Sequence, residues 1–147
     1  MNRRNRWMSI VAALTLLAAL PLVVVRAKDG RDFAGSYELR DVVDQGDQIN
    51  GRFVARVFNY SDGDILGAMV LLEDSLLPGD PYAQWQSLTL FDRESVRVEA
   101  WVTLPQREFE QWQRGLRPLL WVEYHDQADN TFRSRVELIQ DVVGDGN

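Results

Sequence analysis

Residues 49–58 read INGRFVARVF and residues 95–104 read SVRVEAWVTL. In each, side chains of one kind recur at every second position. An extended strand turns successive side chains to opposite faces, so a period of two predicts strands with one face buried. Ile49, Gly51, Phe53, Ala55 and Val57 form one face of the first stretch, against Arg52, Val54, Arg56 and Phe58. Val96, Val98, Ala100, Val102 and Leu104 form the inward face of the second, against Arg97, Glu99, Trp101 and Thr103. The same rhythm places Ala68, Val70 and Leu72 inward, then Leu120, Val122 and Tyr124, then Phe132, Ser134, Val136 and Leu138. Weaker strand signals lie at Ser36–Val43 and Trp85–Leu90. About seven short strands separated by Gly, Asp, Asn and Pro turns predict an all-β sandwich.

One stretch departs from that rhythm. LPQREFEQWQRGLRP (104–118) has Pro105 at a start, Phe109 and Trp112 at helical spacing, and Gly115 at a stop. It predicts one or two helical turns bridging the fifth and sixth strands. Phe109 and Trp112 are expected to plug one end of the sandwich.

The first thirty residues have a different logic. Arg3, Arg4 and Arg6 precede an uncharged run from Trp7 to Val25. As a helix, about 20 residues span the roughly 30 Å apolar core of a bilayer. A retained signal anchor and a cleaved signal peptide ending at Val25-Arg26-Ala27 both fit. Either divides the chain into a targeting segment, 1–27, with one hydrophobic helix, and an extracytoplasmic domain, 28–147. A retained segment would hold the domain to the membrane through residues 7–25.

Charge narrows the partners. Four of the sixteen basic residues precede Lys28, which leaves twelve against twenty-two acids, so residues 28–147 carry a net −10. So acidic a domain is poorly suited to nucleic acid or to anionic lipid. The chain has no cysteine and a single histidine, His125. Disulfides, thiolate chemistry and multi-histidine metal sites are thereby excluded.

The stretch INGRFVARVFNYSDGDILGAMVLLED (49–74) resembles the core of FxLYD-type immunoglobulin-like domains of bacterial envelope proteins. Gly51, Asn59, Ser61, Leu66, Val70, Leu72 and Asp74 stand where that pattern has its fixed types, with LLED replacing the F-x-L-Y-D run. The resemblance implies an immunoglobulin-like order of strands and an accessory or interaction role without catalysis.

Three chemistries remain as candidates. A Ser-His-Asp arrangement would have to use His125, yet no serine lies in a nucleophile elbow. Calcium needs six to eight oxygens on flexible loops. The turns bearing Asp62 and Asp64, Asp92 and Glu94, and Asp126 and Asp129 are expected to gather at one end; Asp62, Asp64, Asp126 and Asp129 are the metal candidates. Asn59-Tyr60-Ser61 also fits a glycan acceptor, whereas Asp62-Gly63-Asp64 reads as a hairpin turn with Gly63 supplying the backbone freedom. The third candidate is a binding face of Trp101 and Trp121 with Arg97, Arg133 and Arg135, since exposed tryptophans beside arginines stack on sugars or anchor proteins. The expected function is a non-catalytic envelope module, membrane-anchored or periplasmic, that binds an envelope protein or surface polymer and no nucleic acid. The alternatives are a small ligand- or calcium-binding domain or hydrolase using the acidic loop end, and a purely structural accessory module.

Overall fold

The computed structural model describes residues 26–27, 32–77 and 79–140. The uncharged run at 7–25 lies outside them. No helix among the described residues is long and apolar enough to cross a membrane.

Among the described residues, nine strands and one helix follow in the order β1 (Arg26–Ala27), β2 (Phe33–Asp44), β3 (Gln48–Asn59), β4 (Ile65–Glu73), β5 (Ala83–Leu90), β6 (Ser95–Pro105), α1 (Gln106–Gln113), β7 (Leu119–His125), β8 (Thr131–Arg135) and β9 (Glu137–Gln140). They form a two-sheet β-sandwich. One sheet has the order β1-β8-β7-β4-β5 and the other β6-β3-β2-β9. The inward sets expected from alternation supply most of the core, including Phe53, Val57, Val70, Leu72, Val98, Val102, Leu104, Leu120, Val122 and Leu138.

Three features differ from the sequence expectation. The strand expected from Ser36, β2, starts at Phe33, because Phe33 is fully buried and Gly35 brings the backbone close to β3. A Cβ at Gly35 would run into the Arg56 carbonyl oxygen. The expected last strand divides at Val136: β8 pairs with β7 in one sheet, and β9 pairs parallel to β2 in the other. The Val136 amide donates to Leu120 O at 2.9 Å at that switch. Finally, Asp62-Gly63-Asp64 is no hairpin. It carries the chain from β3 in one sheet to β4 in the other, and Asp62, with φ of 62°, takes the left-handed conformation assigned to Gly63.

The helix arises where expected. Pro105 suits a helix start because its missing N–H would have no intrahelical partner. Gly115, at φ of 93°, ends it, while the Leu116 amide donates to Gln111 O at 3.0 Å. Trp112 is buried against Tyr37 and Phe53, with ring centroids 6.1 and 5.9 Å away. The amphipathic turn thus closes one end of the sandwich.

The edges are protected in different ways. β5 carries register shifts against β4, with left-handed residues at Gly67 and Ser87, so its edge is irregular. β6 is long and pairs with β3 in unbroken register from Ser95 to Pro105. The indole of Trp85, from β5, donates to Glu99 O at 3.0 Å across that edge. Bulges and capping side chains of this kind deter pairing with a foreign strand.

Candidate functional site

The loop end comes first. Residues 60–64, 91–94 and 126–130 meet there: Arg93 pairs with Asp62 at 2.6 Å, the Asp92 amide donates to Asp64 Oδ1 at 2.8 Å, and Asp64 lines one cleft with Asp126. Asp62, Asp64 and Asp126 are satisfied by protein donors. Asp126 accepts from the Ala128 and Asn130 amides at 2.9 and 2.8 Å and from the Asn130 side chain. Asp129 points to His125 at 3.8 Å and is otherwise exposed. Among the described residues no three acidic or histidine side chains form a group able to hold a metal ion. His125 lies beside Thr131 Oγ1 at 3.1 Å.

Asn59 is wholly buried at this end. Its amide nitrogen donates to Gly63 O and to Leu90 O, each at 2.8 Å; its oxygen accepts from the Ser61 amide at 2.9 Å and the Ser61 hydroxyl at 2.6 Å. All its hydrogen-bonding capacity is spent on tying the crossover to β5. This corrects the glycan reading: in the folded domain the amide nitrogen is not a surface group.

A second polar cluster was not found from the sequence. Glu108, fully buried in α1, accepts from Trp112 Nε1 at 3.0 Å and the Ser75 hydroxyl at 2.8 Å. Asp74 accepts from the Leu76 and Leu77 amides and pairs with Arg107 at 2.7 Å. Burial, then the neighbouring Asp74 carboxylate, push the Tyr82 hydroxyl well above the ordinary tyrosine range. These groups fasten the helix to the β4–β5 connection. The signal available was Glu108 four residues before Trp112, which puts both on one helical face.

The expected aromatic face is divided between the sheets. Trp121, Arg133 and Arg135 lie outward on β7 and β8, with the Arg133 guanidinium 4.6 Å from the Trp121 ring centroid and ion-paired to Glu73. Arg133 covers the Trp121 ring, which is half-buried. Trp101 and Arg97 lie outward on β6 in the opposite sheet. The two tryptophans therefore cannot form one surface, because β6 and β7 belong to different sheets facing away from each other. Strand parity was correct for both; the assignment of strands to sheets was missing.

The outer face of β6-β3-β2-β9 has a regular pattern. Cross-strand pairing sets Arg97 opposite Arg56 and Arg56 opposite Ser36; Glu99 opposite Val54 and Val54 opposite Glu38; Trp101 opposite Arg52 and Arg52 opposite Arg40. Acid and base rows alternate, and ion pairs join them both along a strand and across strands. Arg97–Glu99 is 2.5 Å, Arg52–Glu99 3.2 Å, Arg52–Asp41 2.8 Å, and Arg40 also contacts Glu38. Trp101 is 60% exposed on this face and makes no hydrogen bond or ring contact among the described residues. At the far end of the same face Phe58 stacks on Tyr60, centroids 6.1 Å apart.

No family model matches the chain, and no curated protein matches it. Among solved structures, the solution NMR structure of the CARDB domain of PF1109 from Pyrococcus furiosus is similar, with a TM-score of 0.38 and 13% identity, over 74% of this chain and 94% of that one.

Proposed function

We propose that this chain is a non-catalytic envelope interaction module: an immunoglobulin-like β-sandwich outside the cytoplasm, delivered by residues 1–27 and binding an envelope protein or surface polymer. Trp101 carries the reading. An indole exposed to this extent on a sheet face, with no side-chain partner among the described residues, contributes nothing visible to the core. It is the residue type most often found to dominate a binding interface. The strongest polar clusters, around Asn59 and Glu108, are consumed by structural hydrogen bonds. The test uses full-length chain and its native envelope fraction. Wild type and Trp121→Ala should retain the same protein or polymer, and Trp101→Ala should release it. Equal retention by all three would overturn the assignment of the face. The mass of the mature N-terminus distinguishes cleavage after Ala27 from a retained anchor.

A further inference from the structure

We propose that the outer face of β6-β3-β2-β9 binds a carboxylate-bearing polysaccharide, with Trp101 stacking on a sugar ring and Arg56, beside Arg97, taking the carboxylate. The inference deepens the interaction reading above and rests on it.

The surroundings of Trp101 favour a sugar over a protein. A protein hot spot is a buried aromatic anchor within a well-packed apolar centre. Trp101 has Arg52 directly opposite, and Glu99 and Thr103 on its own strand face. Thr103 donates to Asn50 Oδ1 at 3.0 Å in the next row. An isolated flat ring bordered by hydrogen-bonding groups suits one face of a pyranose, whose C–H groups stack while its hydroxyls reach outward.

Arg56 supplies the charge. It is exposed and, among the described residues, makes no ion pair or hydrogen bond. Its cross-strand partner is another cation, Arg97, which among the described residues pairs with Glu99. Two like charges directly opposite on neighbouring strands repel, and an anion between them relieves the repulsion. The guanidinium fork matches a carboxylate in particular. Arg97 is four residues from Trp101 along β6, about 13 Å at the rise of a strand. An extended polymer crosses that interval; a single sugar does not.

The domain's negative charge does not cancel this attraction. The nearest acids on this face are already neutralised: Glu99 pairs with Arg97 and Arg52, and Glu38 with Arg40. At physiological salt, exposed charges more than about 8 Å away are largely screened. The local rows therefore decide which groups the face accepts.

The test is affinity electrophoresis of full-length chain in non-ionic detergent, through native gels containing polygalacturonate or neutral dextran. Polygalacturonate should retard the wild type and dextran should not. Trp101→Ala and Arg56→Gln should each weaken retardation by roughly tenfold, as expected for loss of a hot-spot group. Arg56→Lys should fall between, and Trp121→Ala and Arg135→Gln on the opposite sheet should match wild type. Absent retardation, equal retardation by dextran, or indifference to Arg56→Gln would each overturn the proposal. If polygalacturonate fails but an envelope protein is held by wild type and released by Trp101→Ala, the saccharide inference falls and the interaction reading stands. If neither is held, both fall.

Discussion

The side-chain amide of Asn59 donates to the backbone oxygen of Leu90 at 2.8 Å, joining the end of β3 to the end of β5 in the opposite sheet. The bond crosses the sandwich at the point where the chain itself leaves one sheet for the other. Removing the amide leaves the buried Leu90 carbonyl and the half-buried Gly63 carbonyl without that donor. Asn59→Ala is expected to lower unfolding free energy by about 2–4 kcal/mol, the scale for stranding buried polar groups. Asn59→Asp should cost more at neutral pH, because a carboxylate faces both oxygens. Urea denaturation followed by tryptophan fluorescence measures both.

Glu108 holds the helix in the same manner. Glu108→Ala removes the acceptor of Trp112 Nε1 and of the Ser75 hydroxyl. The expected loss is again about 2–4 kcal/mol. A weakened near-ultraviolet circular dichroism signal from Trp112 should accompany it. Retention of full stability by Glu108→Ala would show that water replaces the carboxylate without cost.

The Asp74–Tyr82 pair predicts the pH response. Burial pushes the Asp74 carboxyl up, but hydrogen bonds from the Leu76 and Leu77 amides, with Tyr82 and Arg107 nearby, outweigh it and hold the group below its usual 3.8. A folded pKa lower than the unfolded one gives stability that is present above pH 3.8 and lost as pH falls below it. Melting temperature should therefore drop on acidification from this point, and Asp74→Asn should flatten the drop. Burial also raises Tyr37, and burial with Asp74 raises Tyr82, above 10.0. For these the sign reverses: stability is full below pH 10.0 and is lost as pH rises. Two of the four tyrosines should ionise only on unfolding, read as tyrosinate absorbance during alkaline titration.

Trp85 predicts association behaviour. Trp85→Phe keeps a ring against Phe53 but frees the Glu99 carbonyl that the indole caps. The cost in stability should be about 1 kcal/mol. The larger effect is an uncapped, regular strand edge, which favours pairing between chains. Sedimentation velocity should show self-association in Trp85→Phe and less in wild type; identical profiles would assign the indole to packing alone.

The strands and their inward faces were legible because alternation is a local property. Phe53, Val70, Val102, Leu120 and Leu138 were each placed inward from neighbours a few residues away, as was the helix at Trp112; beside it Glu108 is buried and Phe109 only half-buried. The divided last strand was not legible. FRSRVELIQ alternates without interruption, so nothing in it marks Val136 as the point where backbone partners change from β7 to β2. The role of Asn59 was hidden for a related reason. An Asn before a turn reads as a surface residue until the oxygens of Gly63 and Leu90 are known to meet it.

By itself the sequence determined an all-β domain, a helical plug, the absence of thiol chemistry, and which side chains of each strand share a face. The period of the backbone imposes those outcomes before any long-range contact forms. Only the tertiary structure decided which faces lie together. It put Trp121 under Arg133 on one sheet and left Trp101 exposed on the other; it also turned the acids of the loop end toward Arg93 and backbone amides. Sheet membership depends on pairings between residues distant in the chain, such as Arg52 with Trp101, and a pattern of period two is the same whichever sheet a strand joins.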